Sequence, residues 1–176
     1  AFDDIPEYVR EPPSELAPAL VDLLGWQGAT VTPAAFTATI FDLARRGFIE
    51  IEDRTEEKKG LFGPKFKTAA LLTIKKDPGP GDRLLPFERD VLGLLGVIGS
   101  GGPSSGVAAL VAAFGGSAKA FEHFRRIKSG SKHPISSLAG TSLMSTDLTS
   151  WMTKNPMKFR TWFQAWIKSV KAEGKN

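Results

Sequence analysis

The chain has 176 residues, 41% of them hydrophobic and 24% charged, a composition that excludes a low-complexity or disordered polymer and suits one or two ordinary cores. Its net charge of +4 is unevenly spread: residues 1 to 57 hold 4 basic against 12 acidic side chains, and residues 58 to 176 hold 19 against 7. Cysteine is absent, which excludes disulfides and thiolate zinc sites and fits a reducing compartment.

The chain starts at Ala1 with no charged-then-apolar signal pattern and reads as a piece of something longer. In EYVREPPSELAP the paired prolines keep the lead-in extended. A helix follows, with Pro18 in its first turn and Leu16, Leu20, Leu23 and Leu24 as its apolar stripe, ending at Gly25. After the loop GWQGATV, Thr32 caps and Pro33 opens a second helix that runs to Arg46 and stops at Gly47. Phe36, Ile40, Phe41, Leu43 and Ala44 define its core side, which leaves Ala35, Ala38, Thr39 and Asp42 for solvent.

From Phe48 the period changes to two. Ile49 and Ile51 alternate with Glu50 and Glu52, and a second run, AALLTIKK, places Ala70, Leu72 and Ile74 on one face. Between them EEKKGLFGPKFKT reads as a long hairpin loop that carries Leu61, Phe62 and Phe66 among Lys58, Lys59, Lys65 and Lys67. A solvated turn has no need of those apolar side chains. Two readings stay open: the loop contacts an anionic membrane surface or a protein partner, or its apolar residues fold back on the chain's own helices. Helix, helix, strand, long hairpin, strand is the order of a winged-helix unit, here residues 12–78.

KKDPGPGD breaks both helix and strand and separates this unit from a helical half, residues 84–174. A helix starting at Pro86 buries Leu84, Leu85, Phe87, Val91, Leu92 and Leu95, and GSGGPSSG ends it. Another helical run covers about 107–126, followed by KSGSKHPISSLAGTS as an irregular loop. In the last helix Asn155 caps, Pro156 takes the first position, and Phe159, Trp162, Phe163, Trp166, Ile167 and Val170 lie opposite Lys158, Arg160, Lys168 and Lys171. That stripe suits either core packing or an amphipathic membrane or partner contact; the first unit lacks a helix to cover its sheet, which favours packing. The expected fold class is α+β, mainly helical, with a winged-helix-like unit and two-stranded wing packed against the C-terminal half.

The blocks PPSELAPALVDLL, TATIFDLARRGFIEIED and LLPFERDVLGLL, within residues 12 to 96, resemble those of the domain-of-unknown-function 2207 family of predicted bacterial membrane proteins. The resemblance implies a cytoplasmic winged-helix-like region, preceded by an extracytoplasmic domain and a transmembrane helix and followed by further membrane segments. It brings no catalytic residues. The chain's own longest apolar stretches, around Val91 to Ile98 and Val107 to Phe114, fall short of the roughly 20 residues a span needs.

Chemical motifs are sparse. GSGGPSSG lacks the Lys-Ser/Thr of a phosphate-binding loop, no G-x-S-x-G occurs, and His123 and His133 have no partner at metal or triad spacing. The acidic run EIEDRTEE reads as a solvated strand face. For DNA reading, the seven-residue connection Gly25 to Val31 is too long, and the second helix has cations only at its far end, Arg45 and Arg46. The expectation is a non-catalytic cytoplasmic interaction or scaffold module of a bacterial membrane protein, with no cofactor, metal or small-molecule substrate. Its partner is an unidentified protein, with an anionic membrane surface as a further contact; a nucleic-acid-binding winged helix is the alternative.

Overall fold

The structure is a computed structural model that describes residues 16–60, 63–79, 81–99 and 138–175, with side chains described throughout except between 56 and 67. Five helices and a three-stranded antiparallel sheet make up these residues, so the chain is α+β and mainly helical. Helix α1 covers Pro18–Gly25 and α2 covers Pro33–Arg45, each with proline in its first turn, where the missing N–H costs nothing. Thr32 does not cap α2 with its hydroxyl. Its N–H and Oγ1 both donate to the Asp22 carboxylate, at 2.6 and 3.0 Å, and so tie the end of the loop back to α1. Gly47, at φ 77°, closes α2: its N–H reaches Ala44 O and the Phe48 N–H reaches Leu43 O, which leads the chain directly into the sheet.

The rotational phase of α2 differs from the expected one. Ala35, Phe36, Thr39, Ile40 and Leu43 form the buried stripe, whereas Phe41 is 61% exposed. Small residues let α2 approach its neighbours closely, and Thr39 can be buried because its hydroxyl donates to Ala35 O at 2.7 Å. Helix α1 is shifted too: Ala19 and Leu23 are buried, while Leu16 and Leu24 are exposed.

Strand β1 (Ile49–Gly60) pairs with β2 (Gly63–Ile74) in one unbroken register from Ile49 opposite Ile74 to Gly60 opposite Gly63. Residues expected to form an open loop are therefore a paired β-ribbon, and only 61 and 62 separate its strands. On its other side β2 is joined by β3 (Ser142–Met144), which spans only Leu71 to Thr73 of β2 and gives the order β1-β2-β3.

Helix α3 (Pro86–Gly99) is central, with every residue from Val91 to Val97 buried. Its glycines admit the strand β3 approach: a Cβ on Gly96 would lie 2.5 Å from Leu138 Cδ2, and one on Gly99 would lie 2.9 Å from Ser142 O. Asp77 holds that approach from the other side, its carboxylate accepting from the backbone N–H of Leu138 and Ala139. Strand β3 and helix α4 (Ser145–Lys154) emerge from a stretch with no sequence signal, whereas the helical run expected at 107–126 and most of the irregular loop after it lie outside the described residues.

Helix α5 (Pro156–Glu173) packs against α1 and α3. Trp162 and Trp166 are each 1% exposed, the Trp166 Nε1 donates to Phe87 O at 3.1 Å, and Phe36 meets both indoles edge-on at 5.5 and 6.0 Å. Edge-on packing sets the positive ring edge on a negative face and adds to the area term. One apolar cluster thus runs from Ala19 in α1 to Val170 in α5.

Candidate functional site

Side-chain direction alternates along a strand, so the register sorts the ribbon into two faces. One bears Ile49, Ile51, Asp53, Thr55, Glu57 and Lys59 opposite Ile74, Leu72, Ala70, Thr68, Phe66 and Pro64. At its base Ile49, Leu72 and Ile74 are buried, and the same face continues outward through Thr55 and Thr68 to the positions of Phe66 and Lys59. The other bears Glu50, Glu52, Arg54, Glu56 and Lys58 opposite Thr73, Leu71, Ala69, Lys67 and Lys65. Lys58 and Lys65 are direct cross-strand partners and Lys67 is the next position on the same face. The seven residues read as a contact site thus separate: Lys58, Lys65 and Lys67 on one face, Lys59 and Phe66 on the other, with Leu61 and Phe62 outside the described residues.

At the base of the charged face, Glu50 pairs with Lys75 at 2.8 Å and Glu52 with Arg54 at 2.6 Å. These are exposed pairs and contribute little to stability. Along this face the positions therefore run from Glu50 and Glu52 near the body, through Glu56 opposite Lys67, to Lys58 opposite Lys65 at the far end.

Beside the ribbon, α4 and Thr68 form a groove of about 500 Å³ lined by Ser145, Thr149, Ser150, Thr153 and Lys154 among others. Its hydroxyls have structural duties: Thr149 and Thr153 donate to the carbonyls four residues back, and Ser145 Oγ accepts from Ala70 N–H at 3.0 Å. Ser145 thereby satisfies a β2 backbone donor just beyond the reach of β3. Among the described residues, no His, Asp or Glu lines this groove.

The cations at the end of α2 have partners. Arg45 bonds Asp42 at 2.8 Å, and Arg46 bridges Asp42 at 3.3 Å and Glu88 of α3 at 2.7 Å while donating to Arg83 O. Burial pushes the Glu88 carboxyl up despite the N–H of Leu85 and the Arg46 charge that favour its ionised form. For Arg46 burial acts downward, yet the Glu88 and Asp42 carboxylates outweigh it and the guanidinium is raised.

A second carboxyl, Asp90 on α3, is half-buried, and its desolvation pushes it up to about 6, partly offset by a hydrogen bond from Ser169 on α5. Neither Glu88 nor Asp90 is among the residues the sequence motifs point to, although an acidic pair inside the apolar block LLPFERDVLGLL is a visible signal for carboxyls drawn toward the core. Among the described residues, no three His, Asp or Glu side chains lie close enough to hold a metal. His123 and His133 lie outside the described residues.

Among the described residues, no helix is long and apolar enough to cross a membrane. The family model described as "Predicted membrane protein (DUF2207) C-terminal domain" matches residues 5–176, well beyond the 12-to-96 stretch that carries the resemblance. No curated protein and no solved structure matches the chain.

Proposed function

The chain belongs to the family of the C-terminal domain of predicted membrane proteins, DUF2207, and from that premise we propose that it is a non-catalytic interaction or scaffold module held at the cytoplasmic face of the membrane. The lysine-bearing end of the β-ribbon is its contact with anionic lipid. One observation carries this reading: the ribbon continues in register beyond the strand that β3 covers and brings Lys58, Lys65 and Lys67 to neighbouring positions on one face. A lysine near an anionic surface contributes about 1 kcal/mol, so three on one face, set against Glu56 opposite Lys67, give a weak attraction that tethering by the parent protein reinforces.

The competing amphipathic element, α5, has its tryptophans buried in the core and so offers lipid mainly its polar side. Arg45 and Arg46 are engaged in ion pairs, which favours lipid or protein over nucleic acid as the partner. Vesicle flotation tests the reading. The domain co-floats with vesicles containing phosphatidylserine and not with neutral ones, and replacing Lys58, Lys65 and Lys67 together by Glu abolishes co-flotation with the melting temperature within about 2 °C of wild type. Wild-type protein that ignores anionic vesicles, or a triple variant that still floats, rejects it.

A further inference from the structure

Strand β1 is twelve residues long, among the described residues it is the edge of its sheet, and Asp53, Arg54 and Thr55 at its middle are exposed. An edge strand carries a row of outward N–H and C=O groups that another strand can pair with, and charges along an edge usually deter such pairing. Here the order of the charges makes the edge complementary to itself. We propose that β1 pairs antiparallel with β1 of a second copy, about a twofold axis through Thr55, to form a continuous six-stranded sheet. This goes beyond the membrane reading and does not rest on it.

A twofold axis perpendicular to the sheet keeps each face on its own side. Only registers that bring residues of like parity opposite one another are then allowed, and neighbouring choices move the axis by one residue. With the axis at Thr55, Glu52 stands opposite Lys58 of the second copy and Arg54 opposite its Glu56, and symmetry doubles both attractive pairs. The opposing cost is Asp53 facing Glu57, also doubled. Moving the axis to Arg54 sets Arg54 against Arg54 and Glu52 against Glu56, with only Glu50 and Lys58 attractive. Moving it to Glu56 sets Glu56 against Glu56 and Arg54 against Lys58, with only Asp53 and Lys59 attractive. Directly opposed charge pairs are each worth about 0.2–1 kcal/mol in either direction, so of these three registers only the one centred on Thr55 has a surplus of attraction.

The same axis keeps the two faces of the ribbon separate, so the positions of Lys65 and Lys67 in both copies belong to one face of the joined sheet. The gain in solution is small. Confinement of two parent proteins in one membrane raises the effective concentration and makes a weak edge pairing sufficient.

Because the protein has no cysteine, Thr55→Cys introduces a single thiol at the proposed axis. Two such residues across an antiparallel pair have Cα atoms about 4.5–5.5 Å apart, within the range of a disulfide. Glu50→Cys is the control, since its two copies would be separated by roughly 33 Å along the strands. Under mild oxidation the Thr55→Cys protein forms a covalent dimer at least about tenfold faster than Glu50→Cys, and adding Arg54→Glu to Thr55→Cys slows it to the control rate. Equal rates for the two single-cysteine proteins, or a Thr55→Cys rate insensitive to Arg54→Glu, overturn the proposal and leave the edge as one its charges protect.

Discussion

Helices α1 and α5 are both rich in apolar residues and both touch the same core, yet they meet solvent differently. In α5, Trp162, Trp166 and Val170 are buried, with Phe159, Phe163 and Ile167 at the margin. In α1 and the turn after it, Val21, Leu24 and Trp26 are 45%, 62% and 55% exposed while only Ala19 and Leu23 are buried. The difference lies in what surrounds the apolar residues. Lysines and an arginine mark the outer side of α5 over eighteen residues, so its phase is fixed by both faces. PALVDLLG has one charged residue, and Asp22 is already committed to Thr32. An almost uniformly apolar single pair of turns does not say which side is inside.

If this comparison holds, truncating the α5 face removes the fold and truncating the α1 face does not. Trp166 packs on Phe36 and Phe87 and donates to a buried carbonyl. Trp166→Ala is expected to cost about 3–5 kcal/mol, read as a lowered urea midpoint or as failure to fold. A loss under about 1 kcal/mol would show that α5 is docked on the body and is not part of its core.

The α3–α5 contact can be sharpened by pH. Desolvation in the fold pushes the Asp90 carboxyl up to about 6, from an ordinary 3.8. Below about pH 3 both folded and unfolded states carry the neutral acid and the site costs nothing; as pH rises through 3.8 the unfolded state ionises first, and stability is lost until pH passes about 6. Above that window the penalty is complete. Asp90→Asn keeps the shape and a partner for Ser169, so it should stabilise the protein by about 2 kcal/mol at pH 8, the full shift being worth about 3 kcal/mol before a discount for the half-buried site, and by almost nothing at pH 3. Denaturation curves of both proteins at the two pH values decide it; an equal difference at both would assign the effect to packing and not to charge.

The same contrast explains what could be read from the sequence. Proline and glycine punctuation located α2, α3 and α5: Thr32-Pro33 and Gly47, Pro86, and Asn155-Pro156 all fall at observed boundaries. What depends on distant partners was not legible. Strand β3 is three residues long and exists because Leu71 to Thr73 lie beside it. Helix α4 is STDLTSWMTK, rich in residues that compete for the backbone, and it is held by Leu148 in the core with Trp151 and Met152 against it. Glu, Lys and Gly have low strand propensity, so the outer ribbon looked like a loop, while its register is set by continuation from the apolar base. Phe41 was placed inside because it is large and apolar, but the close approach of α2 required Ala35 and Thr39 there. The lysines are visible in the sequence, but the division of their positions between two faces follows only from the pairing of β1 with β2.

The smallest expected effect is at the α1 face. Leu24→Ser and Trp26→Ser remove apolar groups that already meet water, so little transfer energy is at stake, and a serine in α1 costs only its lower helix propensity, about 0.5 kcal/mol. Among the described residues, neither side chain makes a hydrogen bond or ion pair to the neighbouring turn, which is held by backbone bonds, from Trp26 N–H to Asp22 O at 3.1 Å and from Gly28 N–H to Leu23 O at 2.8 Å. Gln27 at φ 52° and Gly28 at φ 76° set its course independently of the Trp26 ring. The double variant should therefore unfold within about 1 kcal/mol of wild type in urea. Should it lose several kcal/mol, comparable to Trp166→Ala, the α1 face would be part of the core after all and the contrast between the two helices would fail.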